Sequence, residues 1–267
     1  MATFKGPFSF NGSVGGFRGY WDSDAQKQVL SSSKGKNKNN NKDSDRALDQ
    51  NREFKAVTYW SKFIRRATND LVYLKKGRLV GLLNRVAKQI QLMDHMGEYG
   101  YRKIESSRFN YPLKGFSFNK KHLLKDILPV EPEVTITEDR REVTLKLTGF
   151  RSFARFKWPE KVAYYRIFLT IFVLPDIEWH ALNESHGAYE PAYPIYEMGQ
   201  VTVVGEWIKI SGDPIDYEMS AIFPENQLPK EKSVVVVVMG IEFAYAMEYG
   251  TPYVVKEHGT SGIIGCF

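Results

Sequence analysis

Residues 233–247 read SVVVVVMGIEFAYAM, and the way this stretch is covered decides the fold. Successive side chains of a strand point to opposite faces. Val235, Val237, Met239, Ile241, Phe243 and Tyr245 therefore share one bulky face, suited to a sandwich core. Val234, Val236 and Val238 share the other with Gly240, Glu242, Ala244 and Ala246. A strand with no wet face needs cover on both sides. On the second face, small side chains let another element approach closely. That element is expected to be an amphipathic helix pair packed as a third layer, or else a neighbouring subunit.

The surrounding sequence supplies the sandwich. EVTIT (133–137) and EVTLKLTGF (142–150) alternate cleanly around an EDRR turn, which gives a hairpin with one wet face. Val162–Leu174 reads as a longer strand, apolar on both faces. QVTVVGEWIKIS (200–211), DYEMSAIF (216–223), the valine strand, PYVVKEH (252–258) and SGIIGCF (261–267) complete an antiparallel β-sandwich over residues 131–267.

Upstream the pattern changes. Phe17, Tyr20 and Trp21, a turn near Asp22–Ala25, then Gln28–Leu30 read as a β-hairpin arm over residues 1–30. Residues 31–44 form a polar Asn/Lys loop without apolar side chains to bury. A basic helical region is expected over 45–130. Its first helix runs from Ser44 or Asp45 to Ala67, with Leu48, Phe54, Val57, Trp60 and Ile64 at helical spacing. Its second runs from Asp70 to Met93 with a break at Gly77, and Leu79, Leu83, Val86 and Ile90 make one face. Residues 97–121 are irregular, with Tyr99, Tyr101, Phe109, Tyr111, Phe116 and Phe118 spaced among basic residues. Such rings can stack bases, although anchoring a long connection to a core is the plainer reading. A short helix follows from His122 to Leu128. The expected class is α+β: a hairpin and a helix pair, then the sandwich.

Charge divides with the architecture. Residues 1–130 hold 25 Lys+Arg against 11 Asp+Glu, a net of +14; residues 131–267 hold 12 against 20, a net of −8. The basic half can meet phosphate, with Lys34, Lys36, Lys38, Arg65, Arg66, Lys75 and Lys76 as candidate contacts, or it can meet the acidic half of another copy. Solvated surfaces of skewed composition are the plainer reading.

Chemistry-bearing motifs are absent from the sequence. His180 and His186, with Glu178 and Glu184, lack zinc-ligand spacing. Glu178 with Glu184, or Asp213 with Asp216, are adjacent carboxylates without a cleft to define an acid/base pair. Cys266, the lone cysteine, has no histidine placed to activate it. There is no P-loop, G-x-S-x-G or dinucleotide fingerprint. The expectation is a non-enzyme without cofactor or metal. MATFKGPFSF lacks the form of a secretory signal, and the longest apolar runs, such as IFLTIFVL, fall short of the roughly 20 residues a bilayer needs. Synthesis in the cytoplasm, without membrane insertion, is expected.

The N-terminal third resembles a pattern shared by uncharacterised proteins of Bacteroidota bacteria and their mobile elements. Gly12, Val14 and Gly15, then Tyr20, and Asn51 and Phe54 in NREF carry it. The resemblance implies a structural or phage-associated protein, as in a virion, and assigns no functional residues.

The leading expectation is therefore a structural subunit of a homo-oligomer or larger particle. Its assembly surface would be Val234, Val236 and Val238 with Ile263, Ile264 and Phe267 of the apolar segment GTSGIIGCF (259–267), suited to strand addition. The alternatives are a nucleic-acid-binding protein using the basic half, and a carbohydrate or surface-recognition module displaying Trp179, Tyr189 and Tyr193.

Overall fold

A computed structural model describes residues 2–3, 11–22, 27–32, 44–158, 161–181 and 187–267. The chain forms two compact units, Met1–Leu48 and Asp49–Phe267. The expected helical and sandwich regions thus share one unit.

In the first unit, β1 (Ala2–Thr3), β2 (Gly12–Val14), β3 (Phe17–Asp22) and β4 (Lys27–Ser32) make an antiparallel sheet ordered β1-β4-β3-β2. The expected hairpin is β3–β4, with Asp22 opposite Lys27. Gly15 and Gly16, at φ of 54° and 80°, turn β2 into β3. The register sets Val14 opposite Phe17, Gly12 opposite Gly19 and Trp21 opposite Gln28, all on one face. Val14, Phe17 and Trp21 are at least half exposed there.

In the second unit, β7 (Tyr164–Pro175), β10 (Gln200–Val204), β13 (Ser233–Ala246) and β14 (Pro252–Cys266) form a central antiparallel sheet ordered β10-β7-β13-β14. β11 (Ile208–Lys209) also pairs with β7. A second sheet is ordered β12-β6-β5, from β12 (Ile215–Ile222), β6 (Glu142–Phe150) and β5 (Glu133–Ile136). The helices are α1 (Asp45–Ala67), α2 (Leu79–Gln91), and the single turns α3 (Leu124–Ile127) and α4 (Ser152–Arg155). Ser44 opens α1 by accepting the Ala47 amide through its carbonyl at 2.8 Å and its hydroxyl at 3.3 Å. A 3-10 segment, Asn69–Leu74, and the bend at Gly77 separate α1 from α2.

The valine strand alternates as its sequence requires. Val235, Val237, Met239, Ile241 and Phe243 join Val143, Leu145 and Tyr165 between the two sheets. Val234, Val236 and Val238 join Trp60, Ile64, Leu83 and Ile90 beneath the helices. All three valines are at most 1% exposed, so the helix layer covers them and corrects their expected place on an assembly surface. Each such burial contributes about 2 kcal/mol. Gly240 acts as anticipated, since a Cβ there would sit 2.8 Å from Leu74 Cδ1; on β14, one at Gly259 would sit 2.5 Å from Leu74 Cδ2. Glycine at both positions lets Leu74 seat against the sheet.

The terminal segment is also corrected. PYVVKEH and SGIIGCF are one strand of 15 residues, bent by two register shifts against β13. Phe267 exchanges backbone hydrogen bonds with Val235 at 2.8 and 3.0 Å. On the outer side, Gly115 N–H donates to Ile263 O, Ile263 N–H to Phe116 O, and Phe118 N–H to Ser261 O, at 2.8–3.1 Å. The strand addition read from GTSGIIGCF therefore occurs within the chain. Ile263 is buried and Ile264 half-buried; Phe267 remains 38% exposed.

Two further differences have physical causes. The buried side of α1 runs through Glu53, Val57, Trp60, Ile64 and Ala67, so Phe54 points outward. A two-stranded ribbon that the sequence pattern does not announce pairs β8 (Ile177–Ala181) with β9 (Gly187–Pro191). Trp179 opposite Tyr189 packs edge to face at 5.1 Å and holds it together.

Between α2 and residue 110, the irregular connection is held largely by side chains. Asp94 accepts the amides of Met96, Gly97 and Lys103 at 2.8–3.1 Å. Glu53, 1% exposed, accepts the Gly100 amide at 3.1 Å, Arg102 Nε at 2.7 Å and Nη2 at 3.0 Å, and also Lys88 Nζ. Asp176 accepts the Ser107 amide at 2.8 Å and its hydroxyl at 2.6 Å.

Candidate nucleic-acid interface

The expected phosphate contacts divide three ways. Lys34, Lys36 and Lys38 lie outside the described residues. Arg65 and Arg66 are exposed in the last turn of α1. Lys75 and Lys76 lie in the break before α2, where the chain meets residues 118–120.

That meeting builds a basic surface. Lys76 N–H donates to Phe118 O, and Lys120 N–H donates to Lys76 O, each at 3.0 Å. Gly77, at φ 104°, turns the chain beneath the Lys120 stem; a Cβ there would lie 3.0 Å from Lys120 Cδ. Buried Asn119 anchors the other side. Its Oδ1 accepts the amides of Lys121 and His122 at 2.9 and 3.0 Å, and its Nδ2 donates to Gly259 O at 2.9 Å. Lys120 and Lys121 consequently stand exposed on a rigid backbone, followed by exposed Lys125 on α3.

Arg85 reaches the same place from α2. With Lys120 and Lys125 it rims a cleft of about 300 Å³ whose floor includes Leu82, Val86, Leu123 and Phe116. Phe116 also borders a cleft of about 480 Å³ lined by Lys114, Lys125, Glu131, Leu124, Leu128, Met239 and Ile264. Among the described residues, Arg65, Lys75, Arg85, Lys114, Lys120, Lys121 and Lys125 have no carboxylate within ion-pair distance. Burial pushes the Lys75 ammonium down to about 8; Asp70 works against that and Arg65 adds to it. A group so placed gains from an approaching anion.

Sequence reading left out Lys120, Lys121, Lys125 and Lys114. The signal for the first three was the run NKKHLLK (119–125), but only its pairing with Lys76 brings it beside Arg85.

Other candidate groups are otherwise engaged. Cys266 is buried, with its thiol pushed up to about 12 by that burial. Glu178 lies 3.1 Å from Lys232 and 3.6 Å from Lys103, while Glu184 and His186 fall outside the described residues. Asp216 accepts the Gly149 amide at 2.7 Å. No group of three or more potential metal ligands occurs among the described residues. The aromatics expected to be displayed are partly withdrawn: Tyr193 is buried, and Tyr189 donates its hydroxyl to Gly100 O and Arg102 O at 3.0 and 3.2 Å. Trp179 packs between Tyr189 and Tyr101. No described helix is long and apolar enough to cross a membrane.

The chain matches no protein-family model, no curated protein and no solved structure.

Proposed function

We propose that this is a non-enzymatic nucleic-acid-binding protein that holds phosphates on the surface running from Arg65 through Lys75 and Lys120 to Arg85 and Lys125. The observation that carries this reading is the row of cations without carboxylate partners among the described residues. Unpaired surface cations on fixed backbone attract a phosphate chain and release its counterions on contact. Fluorescence anisotropy with a labelled oligonucleotide at about 50 and 200 mM salt tests it. About five phosphate contacts would weaken binding roughly 100-fold across that range. An absence of binding at the lower salt overturns the reading.

The assembly reading keeps one favourable observation. Val14, Phe17 and Trp21 are exposed together on one face of the first unit's sheet. So small a unit buries little core of its own, and such a face suits a neighbouring subunit in a homo-oligomer or larger particle. Light scattering after size exclusion tests it. The expected result is concentration-dependent mass that Trp21→Ser abolishes; a monomer at tens of micromolar overturns it.

A further inference from the structure

We propose that Phe116 is a base-stacking wall, and that the basic surface consequently selects single-stranded nucleic acid over duplex. This rests on the phosphate-binding reading and specifies its ligand. Phe116 borders both clefts, the one of about 300 Å³ and the one of about 480 Å³. Its position is fixed from behind and from the side. Phe118 meets its ring edge to face at 5.1 Å. Its carbonyl accepts the Ile263 amide at 2.8 Å on the edge of β14. Beside it, Gly115 adopts φ 76° and has open space where a Cβ would stand, which leaves room for a flat ligand.

The chemistry of the smaller cleft points the same way. Arg85, Lys120 and Lys125 surround an apolar floor of Leu82, Val86 and Leu123. Apolar floor and cationic rim together fit a flat ring that carries an anion on its edge, which describes a nucleotide. Bases splayed from a single strand can stack on an aromatic side chain while lysines and arginines follow the backbone. In a duplex the same bases are stacked on one another and present only their edges. Glu131 lines the larger cleft, whereas Arg85 and Lys120 line the smaller one, which has no carboxylate in its lining. Phosphates are thereby directed toward the smaller cleft.

The full chain is titrated by anisotropy with oligo-dT, with a duplex of equal length, and with anionic phosphatidylserine vesicles as competitor. Single strands are expected to bind roughly tenfold more tightly than duplex at one salt concentration. Phe116→Leu keeps an apolar side chain and removes the stacking face. It should weaken single-strand binding roughly tenfold while leaving duplex affinity and the salt slope unchanged, since the slope counts phosphate contacts. A 5-iodouracil oligonucleotide crosslinked to the wild-type chain should map to the peptide bearing Phe116, which tests the contact without any variant. Equal affinity for both forms, an unaffected Phe116→Leu, or a crosslink elsewhere overturns the stacking wall and leaves the phosphate reading standing. Absence of binding to any nucleic acid, with or without vesicle capture, overturns both.

Discussion

β13 is dry on both faces, but the faces are built differently. Toward the second sheet, the packing is aliphatic and aromatic. Phe156 meets Tyr165 at 4.7 Å and Phe243 at 5.1 Å, both edge to face, over Val143 and Leu145. The backbone there is already satisfied by two ladders. Toward the helices, valines and glycines receive Leu71, Leu74 and Trp60, and the rim is polar. Glu53, Asp94, Asn119 and Asp176 lie within that rim because an irregular connection crosses it. A sheet brings its own hydrogen-bond partners to a core; an irregular segment must be given them by side chains.

The contrast can be broken from either side. Phe243→Ala opens a cavity in the sandwich and should cost about 4 kcal/mol in denaturant unfolding, with no local precursor. Glu53→Ala strips the carboxylate from Arg102 and from the Gly100 amide. It should cost about 3 kcal/mol, and amide exchange should accelerate first over residues 96–103.

Acid separates the rim's carboxylates. Burial raises Asp176 to about 6, and Glu105 and Glu178 add to the rise while the Ser107 hydrogen bonds oppose it. Its contribution to stability is fully present below the ordinary value of 3.8 and is lost as pH rises through about 6. Asp176→Asn should remove roughly 2–3 kcal/mol of that pH dependence, read from unfolding midpoints between about pH 4 and 7. Glu53 behaves oppositely. Burial works to raise its carboxyl, yet Arg102, Lys88 and the Gly100 amide outweigh burial and hold it below its ordinary value of 4.5. Its contribution is present above that value and fades as pH falls through the lowered one. A single monotonic pH profile in which both variants shift stability the same way would contradict this assignment.

Smaller effects come from glycines. Gly259→Ala drives a Cβ into Leu74 and the Ile241 carbonyl and should cost about 2 kcal/mol. Gly81, exposed in α2 with open space around it, should accept alanine with a gain of about 1 kcal/mol. Equal responses at the two sites would show that the helix layer does not need close approach at β13 and β14.

What was legible followed periodicity. Alternation placed every valine of β13 on its correct side, and the spacing of Leu83, Val86 and Ile90 identified the covering helix. In α1, spacing placed Val57, Trp60 and Ile64 correctly, but Phe54 was set in the core where Glu53 lies, because Phe54 looks like a core residue and Glu53 does not. Glu53 is buried because Arg102, distant in sequence, neutralises it there. The ribbon at 177–191 was missed because Trp179 and Tyr189 stabilise each other across strands too short to show a pattern. The basic surface escaped for a related reason: residues 114–125 have no period, and only their pairing with Lys76 and the β14 edge sets them beside α2.

The stitching of β14 has a consequence for how the molecule is made. Ser261 reaches the Leu74 carbonyl at 3.5 Å, and Asn119 reaches that of Gly259; these partners are 187 and 140 residues apart in sequence. Contacts of such separation form late and make folding slow. Until β14 arrives, Leu74 lacks the Gly259 half of its floor and one edge of β13 stands open beside its valines. An intermediate of this kind is prone to aggregation, a hazard that ends when the last strand closes.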